Sequence, residues 1–172
     1  EIKSGYGLDT ETERKQLEVA RLIAGPIKTT TTYLGAHAVM SDADDYLDKV
    51  VLPNIEMFYK ENLIDAVDVF CESIAFSPKQ TEKVFQRCRE LDIPTHLHGD
   101  QLHNNHCGQL ARKYNCLTVD HCEYMDEDSI QQMNCVAVML PVANLFIDEK
   151  RIPPIDLFRK HNIPMAVATN CN

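Results

Sequence analysis

No stretch of this sequence reaches the roughly 18 apolar residues that a membrane-spanning helix requires. No secretory leader is expected either. The seven cysteines are scattered and never form a C-x-x-C pair, which argues against structural zinc and dithiol redox motifs. An odd cysteine count without a leader points to reduced thiols and an intracellular, cytoplasmic setting. Each cysteine reads as a small buried hydrophobe. Basic residues are in deficit, with 17 Lys and Arg against 26 Asp and Glu and a net charge of −9. Phosphate binding needs a basic surface, so no nucleic-acid partner is expected. Linkers and low-complexity segments are lacking too, so residues 1–172 read as one unit. The chain opens on Glu1 and stops inside an apolar run ending "AVATNCN", which reads as a piece of a longer protein.

What is present is alternation. "GLDTETERKQLEVARLIAG" predicts a helix with Asp9 or Thr10 as N-cap and Glu13 closing a capping box on Thr10. "SPKQTEKVFQRCRELD" predicts another, capped by Ser77 with Pro78 at its first position. "DADDYLDKVVLPNIEMFYKENL" is helical but interrupted by Pro53. Between such segments lie "EIKSGYG", "TTTYLGAHAV", "DAVDVFCE", "IPTHLHGDQ", "CLTVDHCEY", "CVAVMLP" and "IPMAVATNCN", seven candidate strands. Helix–strand alternation implies an α/β fold with a parallel sheet. Seven units fit a TIM-like (β/α)8 barrel lacking its first unit better than an open sheet, since a whole barrel needs about 250 residues.

Barrel chemistry sits at the C-terminal ends of strands. Polar residues recur there: Tyr6, His37, Glu72, then His98, Asp100 and Gln101, then His121 and Glu123, then Asn170 and Asn172. Imidazole binds zinc and iron, and a metal with an open position activates water. Further imidazoles can move protons or stabilise an oxyanion. A hydrolase is the natural reading, with a non-catalytic ligand-binding barrel beside it. Individual residues leave alternatives open. His96 and His98 share a strand face and could form a two-ligand clip, or His96 could be a polar neighbour. His103, His106 and His161 read as solvated. Glu123 could orient His121 or form a surface salt bridge. Asp100 could support the site or cap a loop. Cys171 reads as packing, and Tyr6 and His37 could be ordinary core-edge residues.

The strand-end segments "EIKSGYGLDTETE", "YLGAHAV", "DAVDVFCE", "LHGDQL", "VDHCEY" and "AVATNCN" resemble, in order, the motifs of the imidazolonepropionases, metal-dependent amidohydrolases. The resemblance implies an amidohydrolase barrel with a small β-domain built from chain ends outside this sequence. It implies hydrolysis of the ring amide of 4-imidazolone-5-propanoate to N-formimidoyl-L-glutamate in histidine degradation, with zinc or iron, by a homodimer. It makes His98 a metal ligand, joined by an H-x-H upstream of Glu1. His121 polarises the carbonyl or assists the water, and Tyr6, His37, Gln101 and Asn172 contact substrate. A substrate-binding Arg lies outside the sequence. One departure stands out. The family's A-T-D-C-N is "ATNCN" here, so Asn170 replaces the Asp that binds metal and accepts a proton. An amide oxygen can ligate but cannot act as the base. A weakened or inactive protein is therefore expected, unless Asn170 is a sequencing or engineering change. Another cyclic-amide hydrolase or a deaminase of the same superfamily is the competing enzyme reading, with Tyr6 and His37 against it. A barrel short of one unit exposes sheet edges, so aggregation of the isolated piece is also expected.

Overall fold

In the computed structural model, residues 1–23, 28–39 and 42–170 are described. Seven parallel strands form one sheet in sequential order: β1 (Ile2–Lys3), β2 (Thr31–Ala36), β3 (Ala66–Cys71), β4 (Thr95–Gly99), β5 (Thr118–His121), β6 (Val136–Met139) and β7 (Met165–Val167). Each connection moves one place in the same direction. Parallel crossovers are right-handed, so sequential winding puts all the connecting helices on one face. This is the winding of a (β/α) barrel wall and not of a doubly wound sheet, as the alternation predicts.

The two sheet faces differ accordingly. Val67, Val69 and Cys71 of β3, Leu97 of β4, Val119 of β5 and Ala137 of β6 are buried under the helices. They meet Leu17 of α1 (Thr10–Ile23), Ile55 and Phe58 of α3 (Leu52–Lys60), and Val84 and Phe85 of α4 (Pro78–Glu90). Ile130 of α6 (Glu127–Gln132) and Phe158 of α8 (Ile155–Lys160) join the same core, as do Leu110 and Ala111 of α5 (Cys107–Tyr114). The opposite face carries Lys3, Asp68, His96, His98 and Asp120. Pairing of Asp68 with His96 and of His98 with Asp120 sets them on that one side.

Glycine is scarce, with six in the chain, yet helices must still turn into strands. Four do so through the same closure, with Asn62, Asp92, Asn115 and Asn162 at φ of 53–55°. The next N–H then reaches back to a helix carbonyl: Leu63 to Phe58, Ile93 to Cys88, Cys116 to Ala111, and Ile163 to Phe158, each at 2.9–3.0 Å. This is the Schellman geometry, with Asn or Asp where Gly is commonest and an apolar residue following to pack on the core.

Some local expectations are corrected. The N-cap of α1 is Asp9, whose Oδ1 accepts the Thr12 N–H at 2.8 Å. Glu13 does not close a box on Thr10. Its Oε1 accepts the N–H groups of Gly7 and Leu8 at 2.6 and 3.2 Å, tying the loop after β1 to the helix. Pro53 does not interrupt its helix. The segment runs on from α2 (Ala43–Tyr46) through a π-helical turn (Leu47–Val51) into α3. The wider turn absorbs the hydrogen bond that proline cannot make. Ser77 and Gln80 do form the reciprocal cap of α4. A further helix, α7 (Pro141–Ile147), falls where no helix is predicted, and its Leu145 and Phe146 are 83% and 90% exposed.

Gly108 of α5 lies against the backbone of α6, and a Cβ there would come within 2.2 Å of the Ser129 carbonyl oxygen. Gly108→Ala should therefore force α5 and α6 apart and destabilise the protein by about 1–3 kcal/mol. A lowered urea midpoint with unchanged slope is the expected result, and an unshifted midpoint would contradict this packing.

Candidate functional site

The C-terminal strand ends are held by carboxylates that grip the loop after β4. Asp100, fully buried at φ 51°, accepts the N–H of Asn105 at 2.7 Å and that of Cys107 at 3.2 Å. It thus caps α5 from outside, because His106 at the N-cap position is left-handed and offers no side-chain cap. Of the two roles open to Asp100, the structure shows the capping one. Burial raises its pKa to about 6, against the N–H groups that favour its charge. From the other side, Glu72 accepts the N–H groups of Leu102 and His103 at 2.8 and 3.0 Å. The His103 ring adds a contact at 3.1 Å. Between these two clamps sits Gln101, 9% exposed.

His98 is the centre of the inner-face cluster. Its Nδ1 lies 3.0 Å from Asp68 Oδ2 and 3.7 Å from Asp120 Oδ2. The first distance is short, but the N–H is not aligned along it. Lys3 Nζ is 2.6 Å from the same Asp68 oxygen and 3.7 Å from Asp120. Burial opposes the charge on Asp68, yet His98 and Lys3 outweigh it and hold this carboxyl well below its usual range. The same partnership raises Lys3 and His98 against their own burial. Asp68, His98 and Asp120 place ligand-capable atoms within 4.8 Å of one another, a spacing a metal ion could span. The Lys3 ammonium, however, already supplies the positive charge between the two carboxylates. Asp68 and Asp120 were not anticipated from sequence, because they lie inside strands and not at strand ends.

His121 needs a special backbone to reach this group. Strict alternation would put it with Val119 under the helices. Instead His121 and Cys122 adopt φ of 82° and 70°, and the His121 ring stands 5.4 Å from that of His98, edge to face. Each such residue costs about 1–3 kcal/mol, and strain of this kind clusters at functional sites. The turn is pinned to β4 by Cys122 N–H to Gly99 O at 3.2 Å and Tyr124 N–H to Asp100 O at 2.7 Å. Burial depresses the His121 pKa, so its imidazole is neutral near pH 7. Glu123, equally buried, stands 3.8 Å from His121 Nδ1, within ion-pair range but beyond a hydrogen bond.

His37 and Tyr6 meet edge to face at 4.7 Å. His37 Nδ1 lies 3.2 Å from the Gly5 carbonyl, so it carries the proton and leaves Nε2 as an acceptor. Burial lowers its pKa, which keeps that form neutral. Asn170 follows β7 in the left-handed region at φ 51°, exposed, and no hydrogen bond joins it to the His98 cluster among the described residues. Asn172 and Cys171 lie outside the described residues. The other histidines are engaged elsewhere. His96 meets Thr118 Oγ1 at 2.9 Å and Glu1 at 3.3 Å, so no H-L-H clip forms. His161 pairs with Glu127 at 2.7 Å. His103 and His106 are largely exposed, as expected.

No protein-family model matches the chain. The imidazolonepropionases of Idiomarina loihiensis and Burkholderia cenocepacia are 46% and 48% identical to it, and that of Colwellia psychrerythraea 48%, each over the whole chain. This chain belongs to the imidazolonepropionase family. It spans 43–44% of the length of these relatives. Solved structures agree on the fold. A guanine deaminase from C. acetobutylicum, with guanine bound in its active site, matches with TM-score 0.69 over 96% of this chain and 44% of its own, at 12% identity. An amidohydrolase from Burkholderia ambifaria, solved with zinc, matches with TM-score 0.66 over 94% and 47%, at 10% identity. The seven-stranded sheet is thus part of the wall of a (β/α) barrel.

Glu72 yields a pH-dependent test. Burial works against its charge, but the N–H groups of Leu102 and His103, the His103 ring and the Ser73 N–H outweigh it and hold its pKa below 4.5. A lowered folded pKa adds stability above the unfolded value that disappears as pH falls through the folded one. Glu72→Gln should cost about 1–3 kcal/mol near neutrality. That gap should narrow once pH drops below 4.5. Urea unfolding across this range measures it, and a gap independent of pH would refute the clamp.

Proposed function

We propose that the full protein hydrolyses the ring amide of 4-imidazolone-5-propanoate to N-formimidoyl-L-glutamate, as a cytoplasmic homodimer. The observation that carries this reading is the 46–48% identity to imidazolonepropionases over the entire chain, strand-end motifs included. Among the described residues no helix is long and apolar enough to cross a membrane. The acidic balance favours a small-molecule substrate over nucleic acid.

The residues present fit a metal of the zinc or iron kind. His98 Nδ1 faces Asp68, which leaves Nε2 as the nitrogen to offer an ion. His98 would hold the ion through Nε2, with the Asn170 amide oxygen as a second, weaker donor. Once bound, the metal would supply an activated water and polarise the amide carbonyl. His121, 5.4 Å from the His98 ring and with its pKa lowered by burial, would receive or deliver a proton beside it. Tyr6 offers a hydroxyl and His37 a lone pair for the substrate's polar groups. Gln101, on its clamped loop, offers both an amide donor and an acceptor.

Asn170 favours a second reading, a protein of reduced activity. General-base catalysis is worth about 10²–10⁴-fold, and an amide cannot provide it. The full-length Asn170→Asp protein should therefore turn over imidazolone faster than the Asn form by a factor in that range, followed as loss of substrate absorbance. Equal, substantial turnover of both would show that Asn170 imposes no handicap. Absence of turnover by both would overturn the hydrolase reading itself.

A further inference from the structure

Asp68 is fully buried and both of its oxygens are committed. Oδ1 accepts the Val69 N–H at 2.7 Å, and Oδ2 meets Lys3 Nζ at 2.6 Å and His98 Nδ1 at 3.0 Å. Lys3 is in turn tied to Glu1 at 3.2 Å. The carboxylate cannot rotate away without breaking several contacts at once. We propose that Asp68 is the positioning residue of His98, fixing the proton on Nδ1 and presenting the Nε2 lone pair, with Lys3 holding Asp68 in place. The inference rests on the reading of His98 as a metal ligand.

The alternative use of these groups is a cation held by Asp68, His98 and Asp120 together. Lys3 argues against it, because its ammonium stands 2.6 and 3.7 Å from the two carboxylates and would have to be expelled. The acids therefore address His98 through Nδ1, which leaves Nε2 for the ion. A carboxylate behind a ligating imidazole fixes its tautomer and raises its basicity. The Nδ1–Oδ2 approach is short but unaligned here.

The test measures zinc affinity of the full-length protein by chelator competition, with thermal midpoints of the metal-free forms taken alongside. His98→Ala should lose zinc. Asp68→Asn should bind it about 10–100-fold more weakly. Because that variant leaves Lys3 buried without its partner, the charge-neutral pair Lys3→Met with Asp68→Asn is measured too, and should show the same loss. Asp120→Asn removes an equal charge 3.7 Å from Nδ1, beyond hydrogen-bond reach, and should lose much less. If His98→Ala loses zinc while the double variant binds like wild type, the positioning role is wrong and His98 stands as a ligand. A drop for Asp120→Asn as large as that for Asp68→Asn would replace positioning with long-range charge. Retention of zinc by His98→Ala would overturn the ligand reading and this inference with it.

Discussion

A buried carboxylate with nowhere to shed its charge governs this molecule's inner face. Asp68 is wholly removed from water, and an isolated ion in such a place would cost many kcal/mol. Its compensation comes from two directions, an ammonium on β1 and an imidazole on β4. These strands are not neighbours of each other, and β3 borders only β4 and β2. The ion cluster therefore ties β1, β3 and β4 together and sets the attitude of one histidine. Buried pairs of this kind add little net stability against apolar replacements but are costly to break singly. Their retention here makes better sense as positioning than as reinforcement.

The opposite ends of the strands divide the work. At the N-terminal ends, four helix-to-strand turns use one repeated closure, with Asn or Asp in the left-handed region. At the C-terminal ends the turns described above differ from one another. Asp100 and Glu72 grip one loop, a doubly left-handed turn redirects His121, and Glu13 ties down the loop after β1. Repetition marks the scaffold, and irregularity marks the place where side chains converge.

Much of this was legible in the sequence. Alternation of helical and strand-like segments predicted the seven parallel strands, and polar residues at strand ends picked out His98, His121, His37 and Tyr6. Local chemistry read well where it was self-contained, as in the Ser77–Gln80 cap. It read poorly where a partner distant in sequence decided the outcome. Glu13 looked like half of a capping box and serves a loop instead. Pro53 looked like a break and is absorbed by a π-helical turn. Asp68 and Asp120 were invisible because their importance comes from register across β3, β4 and β5. The short helix α7 has no side-chain N-cap and buries only Asn144, so it left no apolar pattern to detect.

The recurring left-handed closure has a consequence for how such a chain can change. Each closure is completed within about six residues, from the last helical turn to the apolar anchor that follows. A strand and its preceding helix thus meet through a joint that needs nothing from its neighbours. Joints of one pattern are interchangeable parts. Duplication or exchange of a helix–strand unit would leave the base of the wall intact, while the loops at the far end could diverge without regard to it.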